Sequence, residues 1–129
     1  MAELSDADVV MLRGENYATL VTMNPDGSPQ ATVTWIDAAD GRVLLNSAEG
    51  RAKVQNLHRD PNTAVLVQAD PYHWTSITGT VVEIVHGPEA DAHIDSLSRR
   101  YDHEPWTPVE GQVRVIFKIR PDRIVRYGG

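Results

Sequence analysis

The sequence contains no cysteine. Disulfides, cysteine–zinc centres and thiol nucleophiles are therefore excluded, and the absence fits a reducing compartment. No apolar run is long enough to span a bilayer and no signal peptide opens the chain, so the cytoplasm is the expected location. Gly-x-Ser-x-Gly, Gly-x-Gly-x-x-Gly and the Walker loop are all missing, which removes the usual signatures of a nucleophile elbow, a dinucleotide fold and a P-loop. The histidines, His58, His73, His86, His93 and His103, share no tight ligand spacing, so no metal is expected. His58 and His93 read as exposed helix residues. Positive charge is also absent over a long stretch, with no lysine or arginine between Arg59 and Arg99.

A net charge of -6 over 129 residues argues against a nucleic-acid partner. The basic residues gather instead in the Arg51–Arg59 segment and in the tail from Arg99 to Arg126. Such a patch on an acidic chain suits a small anionic ligand better than a long polyanion. The length predicts a single domain spanning 1–129. A hydrophobic content of 41% supports a small core, which oligomerisation would help to bury.

The most informative stretch runs from Asn46 to Pro61. Val43-Leu44-Leu45 before it reads as a strand. The segment then opens a short helix that Asp60-Pro61 stops, because a residue before proline is pushed out of helical geometry. Ser47 or a neighbour is expected to cap this helix, with Gly50 leaving its approach uncrowded. Arg51 and Lys53 fall in the first turn, where unpaired N–H groups and the dipole already favour an anion. Two cations, a hydroxyl and a side-chain amide close together are what a phosphate requires. An ordinary solvated helix face carries the same residue types.

Along the chain, Ser5 caps a first helix that Gly14 ends. Tyr17 to Met23 and Gln30 to Asp37 form a hairpin around the Asn24-Pro25-Asp26-Gly27-Ser28 turn. Arg42 to Asn46 is a third strand. Thr63 to Ala69 is a fourth, and its Ala-Val-Leu-Val run predicts burial on both faces. Trp74 to Val85 is the longest, with Gly79 marking a bulge or close backbone approach. Gly87-Pro88 starts a second main helix with Ile94, Leu97 and Tyr101 on one face. A loop around Trp106 leads to an alternating strand, Gln112 to Arg120. Pro121-Asp122 turns the chain into a last strand, Ile124 to Tyr127. This order is mainly β with inserted helices, and it predicts an antiparallel barrel whose openings the helices cover. On the return strand, Thr32 and Thr34 share one face, while Ala31, Val33 and Trp35 share the other. A flat aromatic cofactor could lie along it, and so could plain core packing. Tyr72-His73-Trp74 is an aromatic cluster suited to a ligand mouth, a subunit contact or simple packing.

The Gly50-Arg51-Ala52-Lys53-x-x-Asn56-Leu57-x-Arg59-Asp60-Pro61 pattern resembles the split β-barrel flavin-binding superfamily of pyridoxamine 5′-phosphate oxidase, and within it the branch that uses the deazaflavin coenzyme F420. Asp26-Gly27-Ser28-Pro29-Gln30, Trp74-x-x-Ile77-x-Gly79-x-Val81 and Val115-Ile116-Phe117-Lys118-Ile119-x-Pro121-Asp122-Arg123-Ile124 extend the resemblance along nearly the whole chain. It implies a split antiparallel β-barrel and a homodimer with two cofactor sites in grooves between the subunits.

Carried over, Arg51 and Lys53 would hold the cofactor phosphate beside Ala52, with Ser47 and Asn56 helping. Ala31, Thr32, Val33, Thr34, Trp35 and Asn46 would run along the ring system. Trp74 and Ser76 would come near the site, from either subunit. The sequence shows neither the longer inserts nor the C-terminal extension by which pyridoxamine phosphate oxidases hold pyridoxal phosphate, so that vitamin-pathway reaction is not the expected one. It implies hydride transfer between coenzyme F420 and a small unsaturated substrate such as an enone or quinone, with a proton from solvent or a hydroxyl such as Thr34 or Tyr72. An FMN-binding oxidoreductase of the same fold and a deazaflavin carrier without turnover are the alternatives.

Overall fold

A computed structural model describes residues 2–128; Met1 and Gly129, the ends of the expected 1–129 domain, lie outside the described residues. The elements are α1 (Asp6–Arg13), β1 (Ala18–Met23), β2 (Pro29–Thr34), β3 (Asp37–Ala39), β4 (Arg42–Ala48), α2 (Ala52–Arg59), β5 (Asn62–Asp70), β6 (His73–Val85), α3 (Pro88–Tyr101) and β7 (Arg114–Tyr127). The strands form one seven-stranded sheet in the order β2-β1-β5-β6-β7-β4-β3. Every pairing is antiparallel.

The return strand is shorter than the sequence suggests. It stops at Thr34, and Asp37 begins a separate strand at the opposite edge of the sheet. Only Trp35 and Ile36 separate two strands that lie at opposite ends of the sheet order. The sheet must therefore curl until its edges approach, yet no ladder joins β2 to β3. This is a split antiparallel barrel. The side chain of Tyr101 spans the split: its hydroxyl donates to the Asn16 carbonyl at 2.7 Å and accepts from the Ile36 N–H at 3.2 Å. Trp35 stacks flat on the same ring, with 5.2 Å between centroids.

The barrel interior is filled by Leu20, Val43, Leu45, Val65, Ile77, Phe117 and Ile119, alternate residues of successive strands. α2 closes it with Val54 and Leu57, and α3 packs outside with Ile94, Leu97 and Tyr101. β5 alternates buried and half-buried positions rather than burying both faces, since Ala64 and Leu66 point away from the barrel interior. The expected two strands at the C-terminus are one, β7. Pro121 does not turn the chain but sits at a register shift opposite Gly79. Proline has no N–H to donate, and a bulge accommodates that gap. Gly79 is required there, because a Cβ would lie 2.5 Å from the Arg120 carbonyl oxygen and 2.6 Å from Ile119.

Candidate functional site

β4 delivers Asn46 to the end of the sheet, and Glu49-Gly50 turns the chain into α2. Gly50 has a φ of 95°, a left-handed conformation that favours glycine. The N-cap of α2 is Arg51, and no side chain caps the helix. Ser47 does not serve, contrary to expectation. Strand alternation turns it to the opposite face of β4 from Asn46, where its buried hydroxyl has no hydrogen-bond partner among the described residues. The first turn of α2 therefore keeps N–H groups without a side-chain acceptor.

A cavity of about 290 Å³ opens beside this turn. Val33, Thr34 and Trp35 line it from the split, Asn46 and Arg114 from the adjoining β4 and β7, Arg51 and Lys53 from α2, and Tyr17, Ile94 and Trp106 complete the wall. Among the described residues, none of its three cations makes an ion pair with a carboxylate. Burial lowers the pKa of the Lys53 ammonium, and the Arg51 and Arg114 charges lower it further. Arg114 is pushed down to about 10, by burial first and then by Arg51. Like charges held together in a partly dry site favour an anion among them. With the uncapped helix start, this is a phosphate-type donor set beside an apolar and aromatic wall.

A polar chain fixes the floor. Arg114 Nε donates to Asn46 Oδ1 at 3.0 Å. Asn46 Nδ2 donates to the Ala90 carbonyl at 3.0 Å and meets His93 Nδ1 at 3.1 Å. His93 Nε2 lies 2.9 Å from Asp37 Oδ2, and Arg100 Nη2 donates to Asp37 Oδ1 at 2.8 Å. Because Asn46 spends its oxygen on Arg114, it offers His93 an amide donor, so Nδ1 accepts and Nε2 carries the proton toward Asp37. His93 is thus an internal residue of this chain rather than an exposed helix position. α3 lies across β4, and that packing turns His93 inward.

The other predicted site residues fall elsewhere. Ala31 and Thr32 lie further up β2, and Ala52 is an exposed residue at the start of α2. Asn56 is buried, and its amide nitrogen contacts Thr22 Oγ1, Asn24 Oδ1 and Gln30 Oε1 at 3.0 to 3.1 Å. It ties α2 to the first hairpin and does not line the cavity. Trp74 packs edge-on against Tyr127 with centroids 5.6 Å apart, and Ser76 follows on β6, both away from the cavity of one chain. Thr34 lines the cavity, whereas Tyr72 is exposed at the β5–β6 turn. The residues not foreseen are Arg114, Tyr17, Ile94 and Trp106. Arg114 carried a signal, as a cation at the start of a strongly alternating strand. A larger groove of about 490 Å³ suits an anion poorly, because the carboxylates Asp40, Glu83 and Glu89 line it beside Arg42 and Lys118, and the lysine is already paired at 3.4 Å with Glu89.

An open antiparallel barrel whose split holds three clustered cations beside an aromatic wall has the form of the flavin-type split barrels. The chain belongs to the pyridoxamine 5′-phosphate oxidase family, whose model matches residues 4–126. It is 31% identical over 121 residues to a pyridoxine/pyridoxamine 5′-phosphate oxidase of Azorhizobium caulinodans, a match covering 84% of this chain. The chain spans about half of that relative, 54% of its length. Among solved structures, an F420 reductase superimposes with a TM-score of 0.79 at 30% identity, covering 89% of this chain and 93% of the other. A conserved hypothetical protein from Mycobacterium tuberculosis gives 0.73 at 30% identity, covering 98% and 84%. No helix among the described residues is long and apolar enough to cross a membrane.

Proposed function

We propose that this protein is a coenzyme F420-dependent reductase that transfers a hydride between the deazaflavin and a small unsaturated acceptor such as an enone or quinone. The observation that carries the reading is the set of cations, Arg51, Lys53 and Arg114, without carboxylate partners and beside an uncapped helix start at one end of an aromatic-walled groove. The 30% identity to an F420 reductase over most of both chains supports the deazaflavin over FMN.

Arg51 and Lys53 hold the cofactor phosphate, and the N–H groups opening α2 reinforce them. Val33, Thr34 and Trp35 seat the ring system along the end of β2 and the split. Tyr17 and Trp106 complete the aromatic wall of the groove. When bound, the cofactor supplies the hydride chemistry, and the protein contributes position and electrostatics. A proton from solvent or the Thr34 hydroxyl completes the reduction of the acceptor.

The groove is also proposed to lie between the subunits of a homodimer. Val33 is 68% and Tyr17 54% exposed at its mouth, an apolar rim that a second copy would cover. Fluorescence titration with oxidised coenzyme F420 and, separately, FMN tests the cofactor. Preference for the deazaflavin and turnover of enones or quinones are the expected results. Preference for FMN would make this a flavoprotein of the same fold, and tight deazaflavin binding without turnover on a broad acceptor panel would make it a carrier.

A further inference from the structure

His93 stands behind the anion site rather than in it. Its side chain is 10% exposed and does not line the cofactor groove. It reaches the groove through Asn46. Arg114 Nε can only donate and the Ala90 carbonyl can only accept, so the Asn46 amide has one orientation, oxygen to Arg114 and nitrogen to Ala90. The second amide hydrogen then falls to His93 Nδ1, 3.1 Å away. Ala90 and His93 lie one turn apart on α3, so the helix holds both hydrogens of the amide while β7 holds its oxygen.

A neutral ring with its proton on Nε2 completes this chain, because Asp37 accepts at 2.9 Å. A second proton, on Nδ1, has no place in it. Asp37 would accept from a charged ring too, but Nδ1–H would then face an amide N–H. If the amide rotates to offer its oxygen, its nitrogen meets the Arg114 Nε–H and its oxygen meets the Ala90 carbonyl. If the ring swings away instead, Asn46 keeps one of the two contacts that hold its oxygen on Arg114. The surrounding charges do not supply the missing acceptor. Asp37 also meets Arg100 at 2.8 Å and Arg13 at 3.9 Å. On the outer side, His93 lines the groove of about 490 Å³ with Asp40, Glu83 and Glu89 and with Arg42 and Lys118. Beyond Asn46, Arg51 and Asp91 act on Arg114. Among the described residues, none of these groups hydrogen-bonds to Nδ1.

We propose that His93 is a positioning residue of the anion site: by accepting from Asn46 it keeps Arg114 seated beside Arg51 and Lys53, and protonation of its ring unseats Arg114 and weakens cofactor binding. This rests on the reading above, in which the cations of the groove receive the anionic part of the cofactor.

The test compares wild type, His93→Leu and His93→Gln. Leucine removes the acceptor. Glutamine can accept from Asn46 and donate to Asp37, and it does not titrate. Coenzyme F420 is titrated from about pH 8 to about pH 5, the span in which an imidazole changes charge. His93→Leu should weaken binding about three- to tenfold at the upper pH, and His93→Gln should restore most of that loss. Toward the lower pH, wild type should lose about three- to tenfold relative to His93→Gln. The cofactor's own ionisation enters both proteins alike and cancels in that ratio. Long-range nitrogen NMR of the labelled protein should show the His93 ring as the Nε2–H tautomer at the upper pH. An Nδ1–H tautomer, a wild-type to His93→Gln ratio that does not change with pH, or wild-type affinity in a folded His93→Leu would each overturn the proposal. Should His93→Leu not fold, the tautomer and the ratio decide. If neither coenzyme F420 nor FMN binds, the reductase reading falls and the Arg114 Nε–H resonance decides the positioning role. It should shift across this pH range in wild type and hold still in His93→Gln; the same behaviour in both would overturn the role.

Discussion

Lys53→Met should move two measurements in opposite directions. The substitution keeps most of the apolar stem and removes the charge. In the ligand-free protein, burial and the neighbouring Arg51 and Arg114 hold the Lys53 pKa below 10.5. A folded pKa below the unfolded one means the charged form is disfavoured by folding. That penalty is fully present below the folded pKa and fades as pH rises toward 10.5. The ligand-free variant should therefore be at least as stable as wild type at pH 7, and it should lose the component of stability that wild type gains through this group at alkaline pH. Cofactor binding should change the other way. One charge-assisted hydrogen bond to a phosphate is worth about 1.5–3 kcal/mol. At 1.4 kcal/mol per decade this raises Kd roughly ten- to hundredfold. The assay is fluorescence titration with oxidised coenzyme F420 at fixed ionic strength, paired with thermal unfolding of the same samples. An unchanged Kd in both Lys53→Met and Arg51→Ala would refute the anion site. A weaker Kd together with a markedly lower Tm would show that the charge acts through the fold instead.

Asn56→Ala should destabilise the protein by about 1–3 kcal/mol in urea unfolding, because it removes the buried amide that joins Thr22, Asn24 and Gln30 of the first hairpin to α2. Tyr101→Phe leaves the Ile36 N–H at the barrel split without its acceptor and should lower stability by a similar amount, about 1–3 kcal/mol, measured the same way. Asp37 is a buried carboxylate whose desolvation would raise its pKa, but hydrogen bonds from His93 and Arg100 outweigh this and hold it below 3.8. Its contribution is present above 3.8 and lost as pH falls through the folded value, so Asp37→Asn should be less stable at neutral pH and show a shallower acid limb in a pH–stability profile. Gly79→Ala should lower stability by about 1–3 kcal/mol, since the added methyl meets the backbone of β7; full stability in that variant would disprove the close approach.

Much of this protein is local enough to read along the chain. Ser5 caps α1 and Pro88 opens α3 because capping and the fixed φ of proline involve only a few consecutive residues. Gly79 shows as a glycine inside a β-branched run, and the structure places it at the bulge. Arg51 and Lys53 stand out for the same reason, as cations at the start of a helix where the dipole opposes them. The return strand reads past its end because alternation runs on through Trp35, and it breaks only at Ile36, the second of two consecutive apolar residues. That break marks an end of the strand but not that the chain crosses there from one edge of the sheet to the other.

The sequence by itself determined the three helices, the approximate positions of the long strands and where positive charge collects, because those properties depend on neighbours within a turn or a pleat. Tertiary structure decided what faces the cavity. Arg114 and Asn46 are 68 positions apart in sequence, and only the pairing of β4 with β7 brings them to 3.0 Å. His93 reaches Asp37 across 56 positions because α3 lies over the far edge of the sheet. Asn56 is separated from the cavity by the fold of α2 onto the first hairpin. Alternation along a strand tells which residues share a face, but a curled sheet decides whether that face is core, solvent or groove.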